Sequence, residues 1–325
     1  MFKRTIIAII VIIAFQTLAF CQEEAKKSDG KKVLLYENGT WLSADSIPLH
    51  SIKDLSILNL EIPKTNSKDK IITHTGYSLL YNEIHEQADW VAYELTKEET
   101  IKLYERTNKF ILDPKVSTFT ASDSDYKGSG YDRGHLAPAS DMGWSSIAMK
   151  ESFYYSNMSP QKPSFNRGIW KKLEELVRTW AVENNNLYIV TGPVLKNELE
   201  SIGNNKVSIP KYYYKVILDF SQPSIKGIGF ILPNFGSKEP LKNYAVTIDS
   251  VEKFTGIDFF PLLQDKQENL IESKLCIECW SWNSTSNNKI SDNKTALSTQ
   301  CTGTTKKGKR CKRMTKNDSG RCFQH

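Results

Sequence analysis

Between residues 131 and 183 the chain runs a short polar strand, a second strand and a long amphipathic helix in close succession, and few folds accommodate that order. The stretch opens with Tyr131-Asp132-Arg133-Gly134-His135-Leu136-Ala137-Pro138-Ala139-Ser140, which sets an acid, a base, a glycine and a histidine side by side. Gly134 permits a close approach by a partner, and Pro138 ends any ladder soon after. A histidine held at a strand end can turn one ring nitrogen outward while the other is fixed by a neighbour. Phe153-Tyr154-Tyr155-Ser156-Asn157-Met158 reads as an aromatic strand that stops at Ser159-Pro160. A helix is predicted from about Asn166 to Glu183, with Asn166 as its N-terminal cap. At 100° per residue Trp170, Leu173, Val177 and Trp180 fall within about 80° of one another as one apolar stripe, with Glu174 and Arg178 on its flank. Each residue also has a purely structural reading. Glu174 and Arg178, four apart, suit a surface ion pair, Arg133 suits an ion pair with Asp132, Asn157 suits loop backbone groups, and the two tryptophans suit a core.

Around this stretch the pattern is mostly β. Residues 32–36 read as a strand and Asn38-Gly39 as a tight turn into Thr40-Trp41, after a flexible polar leader over 22–32. Residues 90–95 form a strand, and 106–126 are irregular and polar with a turn at Asp113-Pro114. Three buried strands are expected over 187–191, 212–220 and 225–232, then a short helix over 248–254 closed by Gly256. The last apolar run ends near Trp282, and 283–299 is a Ser/Asn/Thr-rich linker. The fold class is therefore α+β, with a central, largely antiparallel sheet, helices, and the 131–183 unit carried on one side.

The N-terminus has the charge and apolar regions of an export signal: Lys3 and Arg4, then an apolar run to Phe20, with cleavage expected after Cys21. Lipid anchoring at Cys21 is the competing reading, disfavoured by the bulky Phe20. Periplasmic or extracellular residence follows, with no stable membrane insertion once the signal is removed, and it makes disulfide or metal the default for the remaining cysteines. Residues 300–325 carry Lys306, Lys307, Lys309, Arg310, Lys312, Arg313, Lys316 and Arg321 against Asp318 alone, a charge of +7. The rest of the chain is then near neutral within the net +6, so any polyanion it handles is met by a local positive cluster or a metal. Cys301, Cys311, Cys322 and His325 in that tail offer a zinc ligand set, Zn²⁺, with disulfides as the rival, Cys276 and Cys279 among them. The resulting domains are a signal at 1–21, a leader and small β segment at 22–69, a main domain at 70–282, the linker at 283–299 and a basic Cys/His module at 300–325.

A neutral histidine is a general base near pH 7. An amide oxygen is a hard ligand suited to Mg²⁺, a glutamate one shell out orients water, and an arginine offsets charge on a phosphorane-like transition state. These are the parts of a phosphodiester hydrolase. In this respect the chain resembles the DNA/RNA non-specific endonucleases, the ββα-metal or His-Me finger nucleases. The resemblance rests on Asp132-Arg133-Gly134-His135, Ser156-Asn157-Met158-Ser159-Pro160-Gln161, and Asn166 with Trp170, Leu173, Glu174 and Arg178; Thr191-Gly192-Pro193 and Trp90-Val91-Ala92-Tyr93 also fit. It covers about residues 70–282. The resemblance implies His135 as general base and Asn166 as the direct ligand of Mg²⁺ (or Mn²⁺). It implies Glu174 as the residue ordering the ion's water and Arg178 as a phosphate contact, with DNA and RNA as substrates. Arg133 belongs to the same motif, and Arg106, ahead of Phe110 and Asp113-Pro114, is the candidate for the family's upstream arginine. Two other readings remain at this point: a zinc or Cys–His hydrolase using the C-terminal cysteines, and a non-catalytic extracellular nucleic-acid-binding protein.

Overall fold

The computed structural model describes residues 22–26, 32–36, 41–43, 59–118, 120–196, 198–221, 225–282, 299–300, 302–304, 310–312 and 314–315. The chain divides into two compact units, Met1–Ser284 and Thr285–His325.

The first unit is built on a seven-stranded antiparallel sheet. In spatial order its strands are Ala245–Val246, Lys226–Pro233, Tyr212–Asp219, Asn186–Pro193, Gln87–Thr96, Ser78–Asn82 and Ile71–Thr73. Side chains alternate across a strand, and the central strands carry apolar residues in both phases. Val91, Tyr93, Leu95, Leu187, Ile189, Tyr213 and Ile217 enter one core, while Trp90, Ala92, Tyr188, Val190, Tyr214, Val216 and Leu218 enter another. Both faces must then be covered. The helix Lys171–Asn184 covers the first with Leu173, Val177 and Trp180, the stripe expected from the sequence. The helices Ile248–Thr255 and Asp265–Glu272 cover the second with Ile248, Val251 and Ile271. Gly256, at φ 82°, ends the former in the left-handed conformation that favours glycine.

Trp180 is fully buried, its ring 4.5 Å from Trp280 and 5.5 Å from Trp282 between centroids. The last apolar run therefore clasps the long helix from outside the sheet, and Cys276 and Cys279 form a disulfide just before it. Among the described residues no helix is long and apolar enough to cross a membrane.

Several local expectations are corrected. Gln22–Lys26, read as part of a flexible leader, is a strand that pairs antiparallel with Lys32–Tyr36, which in turn pairs with Trp41–Ser43. The aromatic run 153–158 is not a strand. Tyr155–Asn157 is a 3₁₀ turn, bent because the Ser156 hydroxyl donates to Asp113 and the Asn157 amide is consumed by Ala137 and Ser152. The strand is instead Met158–Gln161, which includes Pro160 because a two-stranded ribbon leaves an edge where a missing N–H costs nothing. The helix also starts later than expected. Phe165–Trp170 is a π-type turn, non-helical at Gly168, and the α-helix begins at Lys171. The signal segment 1–21 and most of the linker and tail lie outside the described residues.

Candidate active site

The first strand of the site, Asp132–His135, pairs antiparallel with Met158–Gln161, placing His135 opposite Met158 and Gly134 opposite Ser159. A Cβ on Gly134 would lie 2.2 Å from the Gln161 side chain, so only glycine lets that glutamine cross the ribbon. Just past His135, the Asn157 side chain accepts from the Ala137 N–H at 2.8 Å and donates to the Ala137 carbonyl at 2.9 Å. This fixes the strand end. Asn157 is thus the structural residue that a loop amide suggests.

His135 is 7% exposed. Its ring stands edge-on to Phe153 at 4.9 Å and tilted against Phe110 at 5.8 Å. Nε2 is enclosed with no hydrogen-bond partner among the described residues. Burial, with a smaller contribution from the nearby charge of Arg106, lowers its pKa to about 3, so the imidazole is neutral at physiological pH. The same aromatic wall holds two arginines: Arg133 lies 4.4 Å over Phe110, and Arg106 lies 5.1 Å over Phe153. The loop carrying Phe110 is anchored at Asp113, which accepts from Ser156 at 2.6 Å and meets His74 Nε2 at 2.8 Å. Asp113 is therefore a buried anchor within that turn.

Asn166 sits inside the π-type turn and is not the helix cap. Its Nδ2 donates to Asp132 Oδ2 at 2.9 Å. Asp132 is held in turn by a two-point pair with Arg167, Nε at 2.8 Å and Nη2 at 2.6 Å. Tying down the amide nitrogen orients the side chain and leaves Oδ1 with no donor among the described groups. A hard cation fits that donor: a neutral oxygen, preoriented by a carboxylate behind it. Asp132 pairs with Arg167 rather than with Arg133, whose guanidinium instead meets Asp123.

One turn into the helix, Glu174 and Arg178 share a charged cluster with Asp141 and Lys215. Arg178 pairs with Asp141 at 2.7 Å, not with Glu174, and Tyr93 donates to the other oxygen of Asp141 at 2.9 Å. Lys215 was not foreseen. It is fully buried, 5.1 Å over the Trp170 ring, and its Nζ has no hydrogen-bond partner among the described residues. Strand alternation puts it there, since Tyr213, Lys215 and Ile217 share the face toward the long helix. Its one sequence signal is a lone lysine in an otherwise apolar strand. Burial raises the Glu174 pKa to about 7, against the opposing charges of Lys215 and Arg178, and burial lowers the Lys215 pKa to about 8, against Glu174. Arg106 lies within electrostatic reach of both His135 and Glu174.

Shared partners join His135, Arg106 and Arg133 along the aromatic wall, and Arg106 links them to Glu174, which lies with Arg178 on the helix; Asn166 is held separately, on Asp132. The tail group belongs to the second unit. Cys301, Cys322 and His325 lie outside the described residues, and Cys311 is buried within the second unit.

An antiparallel ribbon leading through a turn into a helix, with histidine on its first strand and asparagine before the helix, is a ββα-metal finger. Residues 58–266 match the DNA/RNA non-specific endonuclease family, and the chain belongs to that family. It is 33% identical over 223 residues to "Nuclease EXOG, mitochondrial" of Danio rerio, covering 63% of this chain and 64% of that protein. It is 34% identical over 201 residues to human "Endonuclease G, mitochondrial", covering 57% and 68%. With "Nuclease C1" of Cunninghamella echinulata it shares 37% over 226 residues, covering 64% and 88%. The chain spans less than two thirds of the length of the zebrafish and mouse EXOG relatives, 64% and 58%. Among solved structures, a crystal structure of an EndoG/EndoGI complex superposes with a TM-score of 0.60 at 32% identity, covering 65% of this chain and 93% of that one.

Proposed function

We propose that this chain is an exported endonuclease that hydrolyses phosphodiester bonds of both DNA and RNA and requires Mg²⁺ (or Mn²⁺). The observations that carry the proposal are a buried, neutral imidazole and an amide oxygen that, among the described residues, receives no donor. His135 accepts the proton of the attacking water; its low pKa keeps it competent as a base across the physiological range. Asn166, oriented by Asp132, holds the cation through Oδ1. The ion, when bound, supplies positive charge at the phosphate and lowers the cost of the charge that develops there. Glu174 orders water from the helix, and Arg178, braced by Asp141, faces the phosphate. Arg106 and Arg133, spread over Phe153 and Phe110, track the polyanion on either side of His135. The body is near neutral, so substrate contact would fall to the local arginines and the cation rather than to a broad basic surface.

The main domain at 70–282 carries the chemistry, and the basic tail at 300–325, closed by zinc or disulfide, adds non-specific contacts to nucleic acid. Incubating the mature chain with plasmid DNA and with single-stranded RNA tests the reading. Both are cleaved with Mg²⁺, and neither with EDTA. Cleavage of neither substrate at any Mg²⁺ or Mn²⁺ concentration would sink it. N-terminal sequencing of the chain recovered outside the cytosol tests export, with Gln22 as the expected first residue.

A further inference from the structure

On the sheet face opposite the finger, the helices Ile248–Thr255 and Asp265–Glu272 bring Asp249, Glu252 and Glu272 together, one carboxylate oxygen of each within 4.8 Å of the others. Asp258 and Glu268 add their negative charge from nearby. Lys64 reaches the cluster only at its rim, where its Nζ donates to Asp258 at 2.8 Å.

Glu272 distinguishes this group from an ordinary acidic surface. It is 6% exposed, adjacent to Ile271 in the core, and its Oε1 is buried with no hydrogen-bond partner among the described residues. A buried carboxylate facing two others and receiving no donor is unfavourable unless a cation or a proton joins it. We propose that Asp249, Glu252 and Glu272 form a site for a hard divalent cation of the size of Ca²⁺, separate from the nuclease centre, that ties the two helices together against the sheet.

The ligand chemistry favours the larger ion. Ca²⁺ takes oxygen ligands at about 2.3–2.6 Å in a flexible geometry and accepts several carboxylates, whereas Mg²⁺ demands a near-ideal octahedron and keeps most of its waters. Three carboxylates from two helices suit the larger and more permissive ion. Glu252 is already oriented, because its Oε1 accepts the Phe259 N–H at 2.8 Å. Asp249 is exposed, which leaves an entry path and room for coordinating water.

Calorimetric titration of CaCl₂ into the full chain carrying Asn166→Ala tests the proposal with the nuclease cation site removed. About one equivalent of Ca²⁺ binds, and saturating Ca²⁺ raises the thermal midpoint by about 5 °C. Adding Glu272→Gln abolishes both effects. Adding Asp249→Asn instead, a change on the exposed rim that leaves folding intact, weakens binding by about tenfold or more. Absence of Ca²⁺ binding by the Asn166→Ala chain at millimolar concentration overturns the proposal, and so does unchanged affinity in both carboxylate variants. A failure of plasmid cleavage would bear on the nuclease reading alone.

Discussion

Replacing Lys215 with methionine separates the electrostatics of the site from its packing. The two side chains are similar in length, and Lys215 is fully buried with no hydrogen bond to lose among the described residues. In the folded chain its pKa is lowered from 10.5 to about 8. Between those values the unfolded chain binds more protons than the folded one, so the lysine destabilises fully below about pH 8 and the penalty fades as pH rises toward 10.5. A shift of that size corresponds to about 3 kcal/mol. Glu174, raised to about 7, is largely protonated at pH 6, where the lysine charge has little compensation. Lys215→Met is therefore expected to raise the thermal midpoint at pH 6, by about 2–4 °C per kcal/mol recovered. Its effect on activity runs the other way. Lys215 is the foremost charge holding the Glu174 carboxyl down, so without it that carboxyl titrates higher. His135, at about 3, titrates too low to set the acidic limb of the rate profile, which leaves Glu174 to set it. Profiles of kcat/KM against pH at fixed Mg²⁺ should show the acidic limb of the variant displaced upward, with the alkaline plateau retained. An undisplaced limb, together with a midpoint at pH 6 that falls, would refute the reasoning.

Asn166→Ala should weaken Mg²⁺ dependence and rate together, since a neutral ligand set of one side chain and waters is sparse; superimposable Mg²⁺ titrations of variant and wild type would reduce Asn166 to a structural role. Asp132→Asn, which breaks the two-point contact with Arg167 and reorients the Asn166 amide, should raise the Mg²⁺ concentration for half-maximal rate by about 10–100-fold, and wild-type Mg²⁺ dependence would contradict that. Deleting 300–325, with its eight basic residues, should raise KM and flatten its salt dependence while kcat is nearly unchanged; a collapse of kcat would make the tail part of the chemistry or of the fold.

Much of the site was legible because its residues lie on two short, strongly patterned segments. The apolar stripe from Trp170 to Trp180 dictates which side of the helix meets the sheet, and that orientation carries Glu174 and Arg178 to its flank. Strands with apolar residues in both phases likewise imply a sheet covered on both faces. What escaped depends on partners distant in sequence. The turn at Tyr155–Asn157 exists because Asp113 and Ala137 capture its side chains, and Pro160 enters a strand because that ribbon has an open edge. Asp132 and Arg133, adjacent in sequence, choose different partners, Arg167 and Asp123, because strand alternation points them to opposite sides. Lys215 escaped because periodicity marks where a side chain points and not what charge awaits it there. The fourteen-residue helix was found while its π-type lead-in was not, since a wheel begun at Trp170 carries no information on the kink at Gly168.

The most direct test of the central claim is single-turnover cleavage of plasmid DNA by His135→Ala at saturating Mg²⁺, with the fold checked by circular dichroism. Removing the proposed general base should slow cleavage by about 10²–10⁴-fold, with Mg²⁺ affinity retained because Asn166 and Asp132 are untouched. A folded variant that cleaves within about tenfold of the wild-type rate would contradict the assignment of His135 and, with it, the account of the site.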